Sequence, residues 1–184
     1  MKNIVLVGFM GTGKTTTGMV LAEKLNLPFI DLDRKIETEC GMTVADIFKK
    51  HGEAFFRQIE KSMIREGLPS GDTIIATGGG AVLFAENISN LKRHGTVICL
   101  QASVDVIIKR IGHCTDRPLL NAPDRAERIA KLLQERAARY QMADYSIDTS
   151  ALAPAEVAET IIALVQEEAA RFPMAGAVYG YSQP

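Results

Sequence analysis

The sequence predicts an α/β fold: a five-stranded parallel sheet with helices on both faces, a three-layer αβα sandwich built around a phosphate-binding loop. Three observations predict it. Short β-rich runs alternate with helical stretches along the chain, as successive strand–helix crossovers require. The first run flows into a glycine-rich loop that opens a helix, Gly8-Phe9-Met10-Gly11-Thr12-Gly13-Lys14-Thr15. The 184 residues, 47% of them hydrophobic, suit one domain with a substantial core.

The elements follow in order. A strand is expected over residues 3–7. It is too short, and too soon followed by Gly8, to be a signal peptide or membrane span. The loop after it fits G-x-x-x-x-G-K-[ST] at every fixed position, in the strand–loop–helix context that the motif needs. Its glycines let backbone N–H groups turn onto phosphate oxygens, and the helix N-terminus adds positive potential there. Gly11, Thr12, Gly13, Lys14, Thr15 and Thr16 are the expected contacts to nucleotide phosphates. Lys14 supplies a mobile charge, and the Thr15 hydroxyl is suited to Mg²⁺. Helix 14–25 leads to a second strand at 28–30. Asp31 and Asp33 stand at its carboxyl end, where ligands of open α/β sheets bind. Asp31, nearer the phosphates, suits Mg²⁺ held through water. Asp33 suits a hydrogen bond from an acceptor hydroxyl, or else caps the next helix.

Helices are expected over 34–40, 44–51 and 53–66. The last carries Arg57 three residues before Glu60, which reads either as a surface pair or as an arginine held for a ligand carboxylate. A strand at 73–76 ends in Thr77-Gly78-Gly79-Gly80 with no carboxylate. That glycine run is a flexible turn or a place where a ligand approaches the backbone. Helix 85–93, strand 96–100 and helix 104–111 follow. Residues 112–123 form a long connection carrying Arg117, with Arg110 just before it; a lid over the phosphates is expected, against the alternative of a solvated loop.

Helix 125–141 places Ile129, Leu132, Leu133, Arg136 and Tyr140 on one stripe and Arg139 on the opposite side. An arginine on the buried stripe needs a partner, either a structural carboxylate or an anionic ligand. Strand 146–147 and helix 155–170 complete the domain, expected to span 1–170 with its acceptor-binding segment at about 31–66. Residues 171–184, with Pro173, Gly176 and Gly180, break the helical pattern and read as a tail.

Composition narrows the function. With 21 Lys and Arg against 22 Asp and Glu the net charge is −1, so no global field invites nucleic acid or a membrane surface. Three cysteines without a CxxC pair imply reduced thiols and a cytoplasmic location. No N-K-x-D element for guanine is present. These absences favour a small-molecule kinase over a GTPase or motor.

The ordered set Gly8 to Thr15, Asp31-Leu32-Asp33, Gly52-Glu53 with Phe56-Arg57 and Glu60, Ala76 to Gly80, Arg117-Pro118-Leu119-Leu120, and Glu135-Arg136 before Tyr140 resembles the shikimate kinase family, from the first strand to about Val165. The resemblance implies a nucleoside-monophosphate-kinase-like fold with strand order 2-3-1-4-5 and a lid. It implies Mg²⁺-assisted transfer of the ATP γ-phosphate to the 3-hydroxyl of shikimate, in aromatic amino-acid biosynthesis; a monomer is expected. By position, Asp33, Arg57, the glycines Gly78, Gly79 and Gly80, and Arg136 would hold shikimate, the two arginines taking its carboxylate. Lys14 and Arg117 would stabilise the phosphates, with Lys14, Asp33 and Arg117 the catalytic set, and Arg110 would lie near adenine. The 149–152 segment offers no adenine signature, and the tail has no counterpart. The rival readings are a gluconate or nucleoside-monophosphate kinase of the same fold, and a non-catalytic ATP-binding module.

Overall fold

The structure, a computed structural model, describes residues 1–112 and 124–171. Five parallel strands form one sheet in the order β2-β3-β1-β4-β5: β1 Asn3–Val7, β2 Phe29–Asp31, β3 Ile74–Ala76, β4 Gly95–Gln101 and β5 Tyr145–Asp148. The helices are α1 Lys14–Leu25, α2 Leu32–Cys40, α3 Val44–His51, α4 Glu53–Glu66, α5 Ala85–His94, α6 Val104–Ile111, α7 Arg125–Tyr140 and α8 Pro154–Arg171. Among the described residues no helix is long and apolar enough to cross a membrane.

All five residues of β1 are buried, because it lies at the centre with helices on both faces. Alternation along the strand divides its side chains between two cores. Ile4 and Leu6 pack with Leu21 of α1, Ile98 and Leu100 of β4, and Val157 and Ile161 of α8. Val5 and Val7 join Ile36, Ile47, Phe56, Ile64, Ile88, Ile107 and Ile129, which come from α2 to α7. The register aligns Ile4 with Ile74 and with Thr96, and Leu6 with Ala76 and with Ile98. The amino end of β1 is tied by Asn3, whose amide donates to Pro69 O (2.6 Å) and His94 O (3.0 Å) and whose Oδ1 accepts from Thr73 N (3.1 Å).

Helix starts follow local chemistry. Thr43 caps α3 by accepting from Asp46 N, and Ser103 caps α6 by accepting from Val106 N. At α2 the structure corrects the sequence reading. The cap is Asp31, which accepts from Asp33 N and Arg34 N, and Asp33 lies inside the first turn. The physical reason is that the extended backbone of the last strand residue, φ −94° and ψ 117°, already suits a cap. A short 3₁₀ helix, Ala81–Leu83, follows the glycine run and was not expected.

The carboxyl ends of β1, β2 and β3 are adjacent in the sheet. They bring the 8–15 loop, the 31–33 segment and the 77–80 turn to one edge, where the chain crosses from one side of β1 to the other.

Candidate active site

The loop after β1 is shaped by left-handed backbone, φ 79° at Gly11 and 94° at Gly13, a region that glycine enters without penalty. Gly13 precedes α1 with no side-chain cap, so the first N–H groups of the helix point at the loop and suit an anion. Thr12 closes the loop by donating to Phe9 O (2.8 Å). The Lys14 ammonium donates to Gly8 O and Phe9 O, each at 2.9 Å, and so stands over the cradle. Thr16 is exposed in the first turn of α1.

Thr15 Oγ1 donates to Asp31 Oδ2 at 2.8 Å. A hydroxyl and a carboxylate side by side beneath the phosphate cradle are hard oxygen ligands of the kind Mg²⁺ takes when phosphates and waters complete its shell. Asp31 Oδ1 is meanwhile occupied by the α2 cap, so this carboxylate both starts a helix and faces Thr15. No cluster of three or more His, Cys, Asp or Glu side chains suited to a metal exists among the described residues, and a phosphate-bound Mg²⁺ needs none.

The acceptor side forms on the three glycines. A Cβ on Gly78 would fall on the Asp33 carboxylate, and one on Gly80 would fall on the Arg57 guanidinium. Gly79 O accepts from Arg136 Nη1 (3.1 Å) and from the Tyr140 hydroxyl (3.4 Å), and its Cα side abuts Met10 N of the phosphate loop. Asp33, Arg57 and Arg136, from α2, α4 and α7, thus each meet one glycine of a single turn, next to the cradle. Glycine at each position is what permits the close approach.

Arg57 is held from behind. Its Nε and Nη2 donate to Glu53 Oε1 at 3.1 and 2.9 Å, and its Nη1 donates to Glu60 Oε2 at 2.9 Å. Each terminal nitrogen carries a second N–H beyond these bonds, so the guanidinium keeps donors that a carboxylate can accept. The ring of Phe56 lies under this guanidinium at 5.2 Å and that of Phe9 under Arg136 at 5.4 Å, favourable seats for planar cations. Among the described residues Arg136 has no carboxylate within ion-pair distance. Arg139 is exposed, as the helix phase requires. The Glu60 side chain is wholly buried, and burial raises its pKa to about 7 against the opposing pull of Arg57. Burial likewise lifts the Tyr140 hydroxyl to about 12, with Arg136 working the other way. Tyr140 is therefore a neutral donor to Gly79 O at any ordinary pH.

Arg110, at the end of α6, reaches Thr149, donating to its Oγ1 (2.8 Å) and its carbonyl (2.6 Å). Thr149 was not legible as a site residue, since a threonine after a strand carries no signature. Neither Phe9 nor Phe56 announced itself as a seat for a cation. Arg117 and the remainder of the expected lid, 113–123, lie outside the described residues, as does the tail from 172.

The family profile for shikimate kinase matches residues 10–166. The shikimate kinase of Thermodesulfovibrio yellowstonii is 51% identical over 157 residues, 85% of this chain and 91% of that protein. The shikimate kinase of Caldanaerobacter subterraneus subsp. tengcongensis is 49% identical over 85% of this chain and 92% of its own length. Among solved structures, shikimate kinase from Acinetobacter baumannii in complex with shikimate superposes with a TM-score of 0.86 at 37% identity, covering 91% of this chain and 94% of that one. A gluconokinase from Sinorhizobium meliloti shares the fold at a TM-score of 0.52 and 18% identity, covering 93% of this chain and 95% of that one. At 51% identity over 85% of its length, and matched by the family profile from residue 10 to residue 166, the chain belongs to the shikimate kinase family.

Proposed function

We propose that the protein transfers the γ-phosphoryl group of ATP to the 3-hydroxyl of shikimate, giving shikimate 3-phosphate and ADP on the route to aromatic amino acids. The observation that carries this is the convergence of Asp33, Arg57 and Arg136 on Gly78, Gly79 and Gly80 beside the phosphate loop. One carboxylate and two guanidinium forks on a single turn match a ring that bears hydroxyls at one side and a carboxylate at the other.

In this reading Arg57 and Arg136 hold the acceptor's carboxylate, which orients its ring. Asp33 accepts a hydrogen bond from the attacking hydroxyl and takes its proton as the new P–O bond forms. Lys14 leaves the carbonyls of Gly8 and Phe9 for the β- and γ-phosphate oxygens and follows the charge onto the leaving phosphate. Mg²⁺ at Thr15, with Asp31 acting through water, would neutralise phosphate charge. Arg117 would add a second cation from a lid at 112–123, and closing that lid would exclude water as a competing acceptor. Arg110 would border the adenine. Residues 1–170 act as one kinase domain with the acceptor segment at 31–66, and the protein works as a cytoplasmic monomer.

The test is a coupled ADP-release assay with shikimate, gluconate and AMP as parallel acceptors, with Mg²⁺ and with excess chelator. Turnover with shikimate at least a hundredfold above the others, lost on chelation, is the expected result. Comparable turnover with gluconate or AMP overturns the assignment of substrate.

A further inference from the structure

Arg110 ends in a fixed position, and one residue fixes it. Thr149 follows β5 and is 2% exposed. Its N–H donates to Gln101 O (2.8 Å), which extends the β4–β5 ladder by one residue. Its hydroxyl accepts from Arg110 Nη1 at 2.8 Å and lies 3.0 Å from both Thr12 O and Gln101 O, so the single hydroxyl proton serves those two carbonyls. Its own carbonyl accepts from Arg110 Nη2 at 2.6 Å. Both terminal nitrogens of the guanidinium are thereby held by one residue, and two parallel bonds to one residue set the plane of the fork as well as its place.

The surroundings leave Thr149 little room to move. Ser150 N donates to Asp148 Oδ1 (2.8 Å), and Ser150 Oγ accepts from Ser103 N (2.9 Å), so the segment after β5 is pinned to the start of α6. At the other end of α6, Ile111 packs against Gly11, where an added Cβ would lie 2.9 Å from Ile111 Cγ1. Arg110 therefore leaves its helix beside the phosphate loop, and its tip is anchored to a residue that bonds the carbonyl of Thr12 within that loop. A planar cation in this place presents a face on which a nucleobase stacks.

We propose that Thr149 is a positioning residue that sets the Arg110 guanidinium as the platform for the base of the nucleotide. The proposal rests on the reading of Arg110 as the adenine neighbour. The hydroxyl is the essential group. Without it Arg110 keeps a single bond, to the carbonyl of residue 149, and can rotate about it.

The alternative is a purely structural tie, in which Thr149 matters only through Thr12 O and the shape of the phosphate loop. The two are separated by comparing a ligand that has a base with one that has none. Calorimetry with Mg²⁺ would measure binding of ADP and of inorganic tripolyphosphate to the full chain, for wild type, Thr149→Val, Thr149→Ser, Arg110→Met and the Thr149→Val/Arg110→Met double variant. Thr149→Val is expected to weaken ADP about five- to tenfold, the loss of roughly one hydrogen bond, with tripolyphosphate changed less than about twofold. Thr149→Ser should recover ADP affinity to within about twofold of wild type. In the double variant the valine should add nothing to the loss caused by Arg110→Met, because the two act as one unit. Equal losses for both ligands, no loss for ADP, or additive losses overturn the proposal. Should Thr149→Val not fold, Arg110→Lys decides, since an ammonium cannot hold both acceptors of Thr149 in one plane; unchanged ADP affinity then overturns it. If Arg110→Met itself binds ADP like wild type, the underlying reading of Arg110 fails instead.

Discussion

Glu60 carries a proton balance that its exposed neighbours do not. Its side chain is fully buried and its one hydrogen-bonded oxygen faces Arg57. Burial raises its pKa from 4.5 to about 7. A carboxyl whose pKa is higher in the fold than in the unfolded chain binds its proton more tightly when folded. Its stabilising contribution is therefore complete below about 4.5 and is lost as pH rises through about 7. The shift bounds that loss at about 3 kcal/mol. The stability of wild type relative to Glu60→Gln, followed by urea denaturation, should fall across that window. A flat difference would mean that Arg57 keeps Glu60 ionised throughout. Gly80 offers a second test at this scale. Its backbone, φ −103° and ψ −1°, accepts alanine, so a methyl group meets only the far end of the Arg57 side chain. Gly80→Ala should fold with a melting temperature close to wild type and raise the KM for shikimate about fivefold or more, as Arg57 is displaced. An unchanged KM would remove Arg57 from the acceptor site. These contacts explain what the sequence could not decide about the glycine run: it is a set of three close approaches, and close approach has no signature in composition.

At the scale of elements, helix α7 separates two like charges by phase alone. Arg136 seats on Phe9 and reaches Gly79 O, while Arg139 faces solvent. Arg136→Lys should already lower kcat/KM for shikimate, because an ammonium cannot reproduce the fork. Arg136→Ala should lower it by about tenfold to a hundredfold or more, the worth of a charge-assisted pair of roughly 1.5–3 kcal/mol. Arg139→Ala should leave it within about twofold. Steady-state kinetics with binding of ADP as a control checks all three, and a damaging Arg139→Ala would sink the assignment. The helix phase was legible because apolar residues recur at helical spacing along one face. Helix limits were legible where a capping side chain stood, as at Thr43 and Ser103. The start of α2 was not, because two aspartates competed for one cap and only the strand's backbone decided between them. The 3₁₀ helix Ala81–Leu83 was missed because three residues are too few to show a period. Strand β4 begins at Gly95, one residue before the expected strand at 96–100, and a side chain on that residue would strike Asn3 O. No pattern of hydrophobicity reports such a contact.

For the whole molecule, Asn3 shows how the sheet is closed at the edge away from the site. One side chain satisfies Pro69 O, His94 O and Thr73 N, drawn from the segments that precede β3 and β4. Asn3→Ala removes the side-chain partner of one buried and two part-buried backbone groups and should cost about 2–4 kcal/mol of stability. The KM values for ATP and shikimate should stay within about twofold, since every proposed ligand contact lies at the opposite ends of the strands. A urea titration beside steady-state kinetics tests both statements, and a kinetic defect without loss of stability would contradict them. The strand order itself was available only from resemblance. Alternating strands and helices imply a parallel sheet, but pairing partners distant in sequence leave no local trace.

That pairing has a consequence during synthesis. Of the five strands of this sheet β1 is the earliest made, yet its partners are β3 and β4, at residues 74–76 and 95–101. Translation at ~5–20 residues per second puts the interval before β4 emerges on the order of 5–20 s. Through that interval the nascent chain holds out a strand that is buried along its whole length in the finished protein, with both edges open. The phosphate loop that follows it has no fixed ends until then, because Thr77 N bonds Leu6 O and the β4 ladder flanks Val7 only after both partners arrive. The strand and loop that carry the phosphate chemistry are made before the strands that shape them, so the unpaired β1 holds two open edges toward chaperones and toward its neighbours on the polysome.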